Sequence, residues 1–342
     1  MATWGQVEKE LINSQAGNGP PDFDGVRRRY MRDLADYTER SLILYETAGF
    51  APPPGAAPDD TQISLDPDVG AFMEVVHGLD RERPIDLILH SPGGTAEAAE
   101  SIVEYIRGRF PGLRVIVPVA AMSAATMMAM AADEIVLGDH SQLGPIDPQM
   151  TIATPEGPRT APAAAIRKQF RDATEDLKQN PDHIAAWLPI IRGLSPALLQ
   201  ICDDAEHLAT SMVTDWLEKY MFASEDDARA KAEAVARVLS DYDQHMSHGR
   251  RLGKAQLRDL GLRVVDLEED DKLQDLVLSI HHSVNHLMNH TGTVKIVENH
   301  LGKAFIRRVG QIAVPVQQGP PPKPPRVQSQ KEIQPRPRKK KR

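Results

Sequence analysis

The sequence of 342 residues predicts an α/β fold, and two observations carry the prediction. Short apolar runs, "IDLILH", "RVIVPV" and "EIVL", alternate with stretches of helical periodicity between positions 65 and 137. Strands separated by helices pair in parallel through right-handed crossovers. Composition agrees: 41% hydrophobic and 26% charged residues are usual for a globular chain long enough to bury a sizeable core.

Residues 1–21, with Gly and Pro, read as a flexible leader. "VRRRYMRDLADYTER" reads as a helix running into a short strand at 42–45, and "APPPGAAPDD" as a loop, because proline blocks both ladders and helix interiors. Phe72, Met73 and Val76 fall at helical spacing. After "IDLILH", "SPGG" is a turn, and the next helix, "TAEAAESIVEYIRGRF", places Ala99, Ile102, Val103 and Ile106 on one face. "RVIVPV" is the following strand, "SAATMMAMAA" a helix of small residues, and "EIVL" another strand. Residues from about 162 to 243 read as a helical insertion. Near the end, "GKAQLRDLGLRVVDLE" is a helix stopped at Gly261 and then a strand through Val264 and Val265. "DKLQDLVLSIHHSVNHLMNH" is a further amphipathic helix, so the C-terminal part is largely helical. One domain is expected over 22–314, with a disordered, proline-rich basic tail over 315–342.

The net charge of -8 is uneven. Residues 319–342 hold nine Lys/Arg and one Glu, so this end carries +8 and the remainder -16. Such a tail is by default a solvated end, with contact to an acidic partner as the functional alternative. No aromatic residue interleaves the basic residues, so base stacking has no support there. Cys202 is the single cysteine, which excludes an internal disulfide and suits a reducing, cytoplasmic setting. The N-terminus has no basic stretch followed by an apolar run, so no signal peptide is expected. Residues 115–132 carry no charge and approach the length of the shortest membrane helices, about 17 residues. Pro118, Ser123, Thr126 and the many alanines argue instead for a buried segment and no transmembrane segment.

Within that stretch, Ser123 lies between the end of a strand and the start of a helix. Ligands of parallel sheets bind at this edge. The "SPGG" turn ends the preceding strand at the same edge, and its glycines let backbone approach a substrate closely. One N–H from Gly93 or Gly94 and one from Ala124 are therefore candidate oxyanion donors, each typically worth about 3 kcal/mol in a transition state. On spacing alone, a serine at a helix start is more often only an N-cap.

The segments "LILHSPGGTAEAAESIVEYIRGRF" and "VIVPVAAMSAATMMAMAADEIVLGDHSQLGPIDPQ" resemble the Clp protease/crotonase superfamily. The resemblance is nearest to the serine dehydrogenase proteinase family, related to signal peptide peptidase A, and runs over residues 26–306. It implies a ββα superhelix, self-assembly into homo-oligomeric rings, and serine-dependent hydrolysis of peptide or protein substrates. It implies Ser123 as nucleophile and Gly93, Gly94 and Ala124 as the oxyanion hole.

A serine needs a base, and here the sequence departs from the Clp pattern. The stretch where those enzymes carry their histidine, "SQLGPIDPQ", has none. Three candidates remain. His140 lies just before the matching place. Lys168 lies one helical turn beyond where serine–lysine peptidases put their lysine. His248, in "MSHGRRLG", falls near the position of the third Clp triad member, and histidine is a side chain suited to base work near neutral pH. Each has a solvated surface side chain as its bland reading, and His248 is the best placed. Asp147 either orients a base or substrate, or simply forms the turn before Pro148.

His282, His286 and His290 share a helix face at i, i+4, i+8, but the apolar positions of that helix explain it without a metal, and no metal or organic cofactor is expected. The methionines at 122, 127, 128 and 130 read as core or contact residues. Two rivals to the hydrolase remain: a crotonase-like acyl-CoA enzyme using the same oxyanion hole, and an inactive oligomeric scaffold.

Overall fold

The structure, a computed structural model, describes residues 3–17, 19–154 and 157–309. The chain opens with α1 (Trp4–Asn13), α2 (Phe23–Thr38) and β1 (Ser41–Thr47), followed by α3 (Pro58–Thr61) and α4 (Leu65–Val76). Alternating units come next: β2 (Ile85–His90), α5 (Ala96–Arg107), β3 (Leu113–Val117), the short β4 (Ala120–Ala121), α6 (Ala124–Met130), β5 (Glu134–Leu137) and the short β6 (Gln142–Leu143). A hairpin of β7 (Gln149–Thr154) and β8 (Gly157–Pro162) leads into α7 (Ala163–Gln179), α8 (Ile184–Arg192), α9 (Leu198–Lys219), α10 (Ala228–Ser240) and α11 (Tyr242–His245). The chain returns through α12 (Lys254–Asp259), β9 (Val264–Asp266), α13 (Asp271–His290), β10 (Thr293–Asn299) and β11 (Ala304–Arg308).

The main sheet has the order β11-β10-β1-β2-β3-β5-β9. The five strands β1, β2, β3, β5 and β9 run parallel, as the alternating pattern requires. The sheet is mixed, because β10 pairs antiparallel with β1 and β11 antiparallel with β10. β4 and β6 pair in a separate two-stranded sheet. Both faces of the central strands are covered, so β2, β3 and β5 read as nearly continuous apolar runs rather than alternating ones. Ile43, Tyr45, Leu87, Leu89, Val115 and Val117 pack with α4, α5, α6 and α9. Leu42, Leu44, Ile88, Ile116 and Val136 pack on the other face with α2 and α13.

Side-chain caps set the helix starts. Asp22 accepts from the Gly25 N–H (2.8 Å) at α2, and Asp270 from the Lys272 and Leu273 N–H groups (3.1 and 2.9 Å) at α13. Each satisfies donors that the first turn of a helix leaves unpaired.

The structure departs from the sequence reading in several places. Part of the expected flexible leader is α1, whose Val7 and Leu11 are buried against Val26, with the Trp4 ring on His286. Met73 is exposed while Phe72 and Val76 are buried, since one residue is about 100° of helix rotation. The hairpins β7–β8 and β10–β11 carried no strong turn dipeptide. The sheet was expected to be parallel, but β10 docks antiparallel on β1 and the second hairpin adds β11 antiparallel to β10. The uncharged stretch 115–132 folds as most of β3, then β4 and α6, inside the core, and among the described residues no helix is long and apolar enough to cross a membrane. The basic tail at 315–342 lies outside the described residues.

Ile88 sits in mid-sheet and is fully buried. Ile88→Ala is expected to cost about 3 kcal/mol through lost burial and the cavity left behind. Urea unfolding checks this: the midpoint should fall at unchanged slope.

Candidate active site

Every residue from 120 to 132 is buried except Ser123. The serine adopts φ 53° and ψ -121°, a left-handed backbone that a non-glycine residue rarely takes. Such a conformation typically costs on the order of 1–3 kcal/mol and persists only where packing enforces it. Here Ala124, Ala125, Met127 and Met128, all buried, anchor the helix that follows. The chain must therefore kink at its single partly exposed position. Ala124 opens α6, so its N–H has no acceptor within the helix.

The glycine turn comes to this kink from the next strand. Gly93 has φ +105°, and a Cβ there would lie 2.6 Å from Met122 O, 2.7 Å from Ser123 Cβ and 3.1 Å from Ala124 N. Only glycine permits both the dihedral and the approach. The turn is stitched to the serine strand by Ser91 N–H to Ala120 O and Met122 N–H to Ser91 O, both 3.0 Å. The two glycines differ in what their N–H groups do. The Gly93 N–H donates to Ser91 Oγ at 3.1 Å. Gly94 bridges Ile63 in parallel fashion: Ile63 N–H donates to Gly93 O (2.8 Å) and Thr95 N–H to Ile63 O (3.0 Å). In that geometry the N–H of the middle residue points away from its partner strand.

A third segment runs beside the serine helix. The Gly144 N–H donates to Thr126 Oγ1 (3.0 Å), which itself donates to Ala121 O (2.7 Å). A Cβ at Gly144 would strike Met122 Cε at 2.4 Å. Three residues on, Asp147 is 2% exposed. Its Oδ1 lies 2.8 Å from His248 Nδ1, and its Oδ2 accepts from Gln149 Nε2 at 2.8 Å. Leu252 is tied to Leu143 by two backbone bonds of 2.9 and 3.0 Å, which holds the 248–252 stretch against this segment. A carboxylate only accepts, so His248 Nδ1 is the donor of the pair, which leaves Nε2 as the ring nitrogen able to take a proton. The His248 side chain is 26% exposed.

The other base candidates have different surroundings. Lys168 Nζ pairs with Asp243 Oδ1 at 3.1 Å, both side chains more than half exposed. His140 Nδ1 lies 3.8 Å from Glu268 near the surface. The α13 histidines turn toward backbone and an aromatic ring: His286 lies against Trp4 with ring centroids 3.8 Å apart, and His290 Nδ1–H donates to His286 O at 2.8 Å. Met127, Met128 and Met130 are core residues.

Two features escaped the sequence reading. Asp147 was weighed mainly as a turn former, and only its buried pairing with a histidine 101 residues away reveals more. His90 directly precedes the glycine turn, and its Nδ1 accepts the Ala120 N–H at 3.2 Å. An accepting nitrogen must be unprotonated. Burial lowers the His90 pKa to about 4, with His281 adding to the shift and Glu46 opposing it. Burial likewise lowers His282 to about 4, with His281 and His286 contributing.

Residues 68–285, more than half of the chain, match the family described as ClpP-like SDH-type serine proteinase. Two uncharacterized proteins of Methanocaldococcus jannaschii are similar over shorter stretches. One is 34% identical over 105 residues, 31% of this chain and 35% of the relative. The other is 44% identical over 69 residues, 20% of this chain and 24% of the relative. The chain thus spans about a third and about a quarter of these relatives' lengths.

The lowered histidines set the direction of an acid effect. Between pH 6.5 and about 4 the unfolded chain binds protons at His90 and His282 that the folded chain refuses. Stability should therefore fall as pH drops through that window. Urea midpoints measured across it, in wild type and His90→Gln, should show a shallower loss in the variant.

Proposed function

The chain belongs to the ClpP-like SDH-type serine proteinase family, and from that premise we propose that it is a peptide hydrolase using Ser123 as nucleophile, His248 as base and Asp147 as the group that orients the base. The observation that supports the proposal is the buried Asp147, 2.8 Å from His248 Nδ1, on a segment bonded to the serine helix through the Gly144 N–H and Thr126 Oγ1, with Ser123 at φ 53°.

The order of the parts is altered relative to the Clp pattern. The acid stands in the stretch where a histidine was looked for, and the histidine stands near the place of the third member. Exchanging the two leaves the chemistry intact, since a triad is defined by geometry and roles rather than by chain order.

In the reaction, Ser123 Oγ attacks the peptide carbonyl and its proton passes to His248 Nε2. Asp147 holds the imidazole in the Nδ1–H tautomer and stabilises the imidazolium. The N–H groups of Gly94 and Ala124 receive the oxyanion. Gly93, its own N–H engaged by Ser91, serves by leaving room for the contact. Collapse breaks the C–N bond, and His248 returns the proton to the departing amine. Water then takes the amine's place and releases the acyl group by the same steps.

The finer architecture follows the same reading. β3, β4 and α6 form one ββα turn of a superhelix, with β4–β6 as its second layer. Exposed Phe170, Ile184, Ile190 and Ile201 on α7–α9 offer an apolar surface for homo-oligomerisation in the cytoplasm. Substrates are peptides or unfolded proteins.

A fluorophosphonate probe tests the proposal. Wild type should be labelled at one site, and Ser123→Ala should abolish labelling while retaining the melting temperature. Asp147→Asn, which upsets the tautomer, should lower peptide hydrolysis by about 10⁴-fold. Labelling that survives Ser123→Ala would refute the assignment. Coenzyme A binding without labelling would favour an acyl-thioester enzyme.

A further inference from the structure

Lys295 of β10 and Asp68 of α4 are both fully buried. All three ammonium donors are used: Nζ reaches Asp68 Oδ1 at 2.8 Å, Asp68 Oδ2 at 2.9 Å and Gln62 O at 2.8 Å. Asp68 Oδ2 also accepts from Tyr45 OH and from the Ser64 N–H, each at 2.9 Å. Stability alone gives little reason for such a pair, because apolar residues of similar volume often serve as well. Its backbone partners point to another role. They are Gln62 O and Ser64 N, the groups on either side of Ile63. Ile63 uses its own N–H and C=O to hold Gly93 O and the Thr95 N–H. Gly94 lies between those two bonds, so close that a Cβ would be 2.1 Å from Ile63 O.

We infer that Lys295, Asp68 and Tyr45 are positioning residues for the oxyanion hole: they clamp residues 62–64 so that Ile63 fixes the direction of the Gly94 N–H. The inference rests on the hydrolase reading above. The chain of contacts is continuous. An ion pair seated between β10, α4 and β1 holds a loop, the loop forms a two-bond bridge to the glycine turn, and the turn presents a single donor. All three side chains are fully buried, so they act only through the groups they hold. Each is placed where a polar group bonded only to its own neighbours would serve packing alone, yet the backbone groups they hold lead to the turn facing Ser123.

Phosphonylation by a fluorophosphonate of the full chain tests this, because the reagent builds negative charge on the oxygen that the hole must receive. Asp68→Asn keeps the shape but weakens the clamp. Its maximal rate of phosphonylation should fall about 10- to 100-fold, with the reagent's binding constant changed by no more than about twofold. Tyr45→Phe removes one hydroxyl and serves as the variant that folds in any case. It should slow the same step about threefold. Hydrogen exchange over residues 91–95 should quicken in both, at a temperature where both remain folded by circular dichroism. A purely structural pair would lower the melting temperature and leave the maximal rate where it was. Wild-type phosphonylation rates in a folded Asp68→Asn, or in Tyr45→Phe, would overturn the inference and leave the hydrolase reading standing. A wild type that does not react at Ser123 would overturn both.

Discussion

A missing methyl group lets the sheet edge close. At Gly93 any side chain would collide with Met122 O and Ser123 Cβ, so the turn after β2 and the kink after β4 can touch only because that position is glycine. The contact brings two backbone segments from different strands into register around one hydroxyl. Ser91 adds two backbone bonds to the neighbouring strand, and its side chain takes the Gly93 N–H. The left-handed backbone of Ser123 is then the conformation that packing on both sides leaves open. Its cost is offset by the helix that follows, whose alanines and methionines are all buried in the core.

Two buried polar systems support this edge from opposite sides of the sheet. On one, Lys295 and Asp68 hold the loop that bridges Gly94. On the other, His90 accepts the Ala120 N–H, with its ring near Phe50 and His281, and His281 in turn contacts Glu46. Buried polar groups are costly unless bonded. Here three of the bonds end on backbone: Lys295 and Asp68 on Gln62 O and Ser64 N, and His90 on the Ala120 N–H. The Asp147–His248 pair lies on two segments tied down by the Gly144–Thr126 and Leu143–Leu252 bonds.

The main strands and the helices between them were legible because both faces of the sheet are buried, which turns strands into continuous apolar runs. The residues proposed for the site's backbone parts, Ser123, Gly93, Gly94 and Ala124, lie within a few residues of strand ends, where local pattern speaks. The proposed base and its partner were harder to find. Asp147 and His248 are 101 residues apart, and nothing local at either position announces the other. A helical region intervenes, and only tertiary folding closes the gap. Between Gly93 and Gly94 the sequence left the donor open, since the difference lies in which N–H Ser91 captures. The antiparallel edge β10–β11 was missed for want of a strong turn dipeptide, and α1 because ten helical residues with two buried side chains make a weak periodic signal.

The central claim is that one oxygen can sit between the Ser123 hydroxyl carbon and two backbone donors while His248 faces the serine. A crystal structure of the protein after reaction with a fluorophosphonate tests it directly. The account predicts a phosphonyl group on Ser123, its oxygen about 3 Å from both the Gly94 and Ala124 nitrogens, with His248 Nε2 turned toward Ser123 Oγ. An adduct on another residue, or a phosphonyl oxygen turned to solvent with those two N–H groups bonded elsewhere, would contradict it.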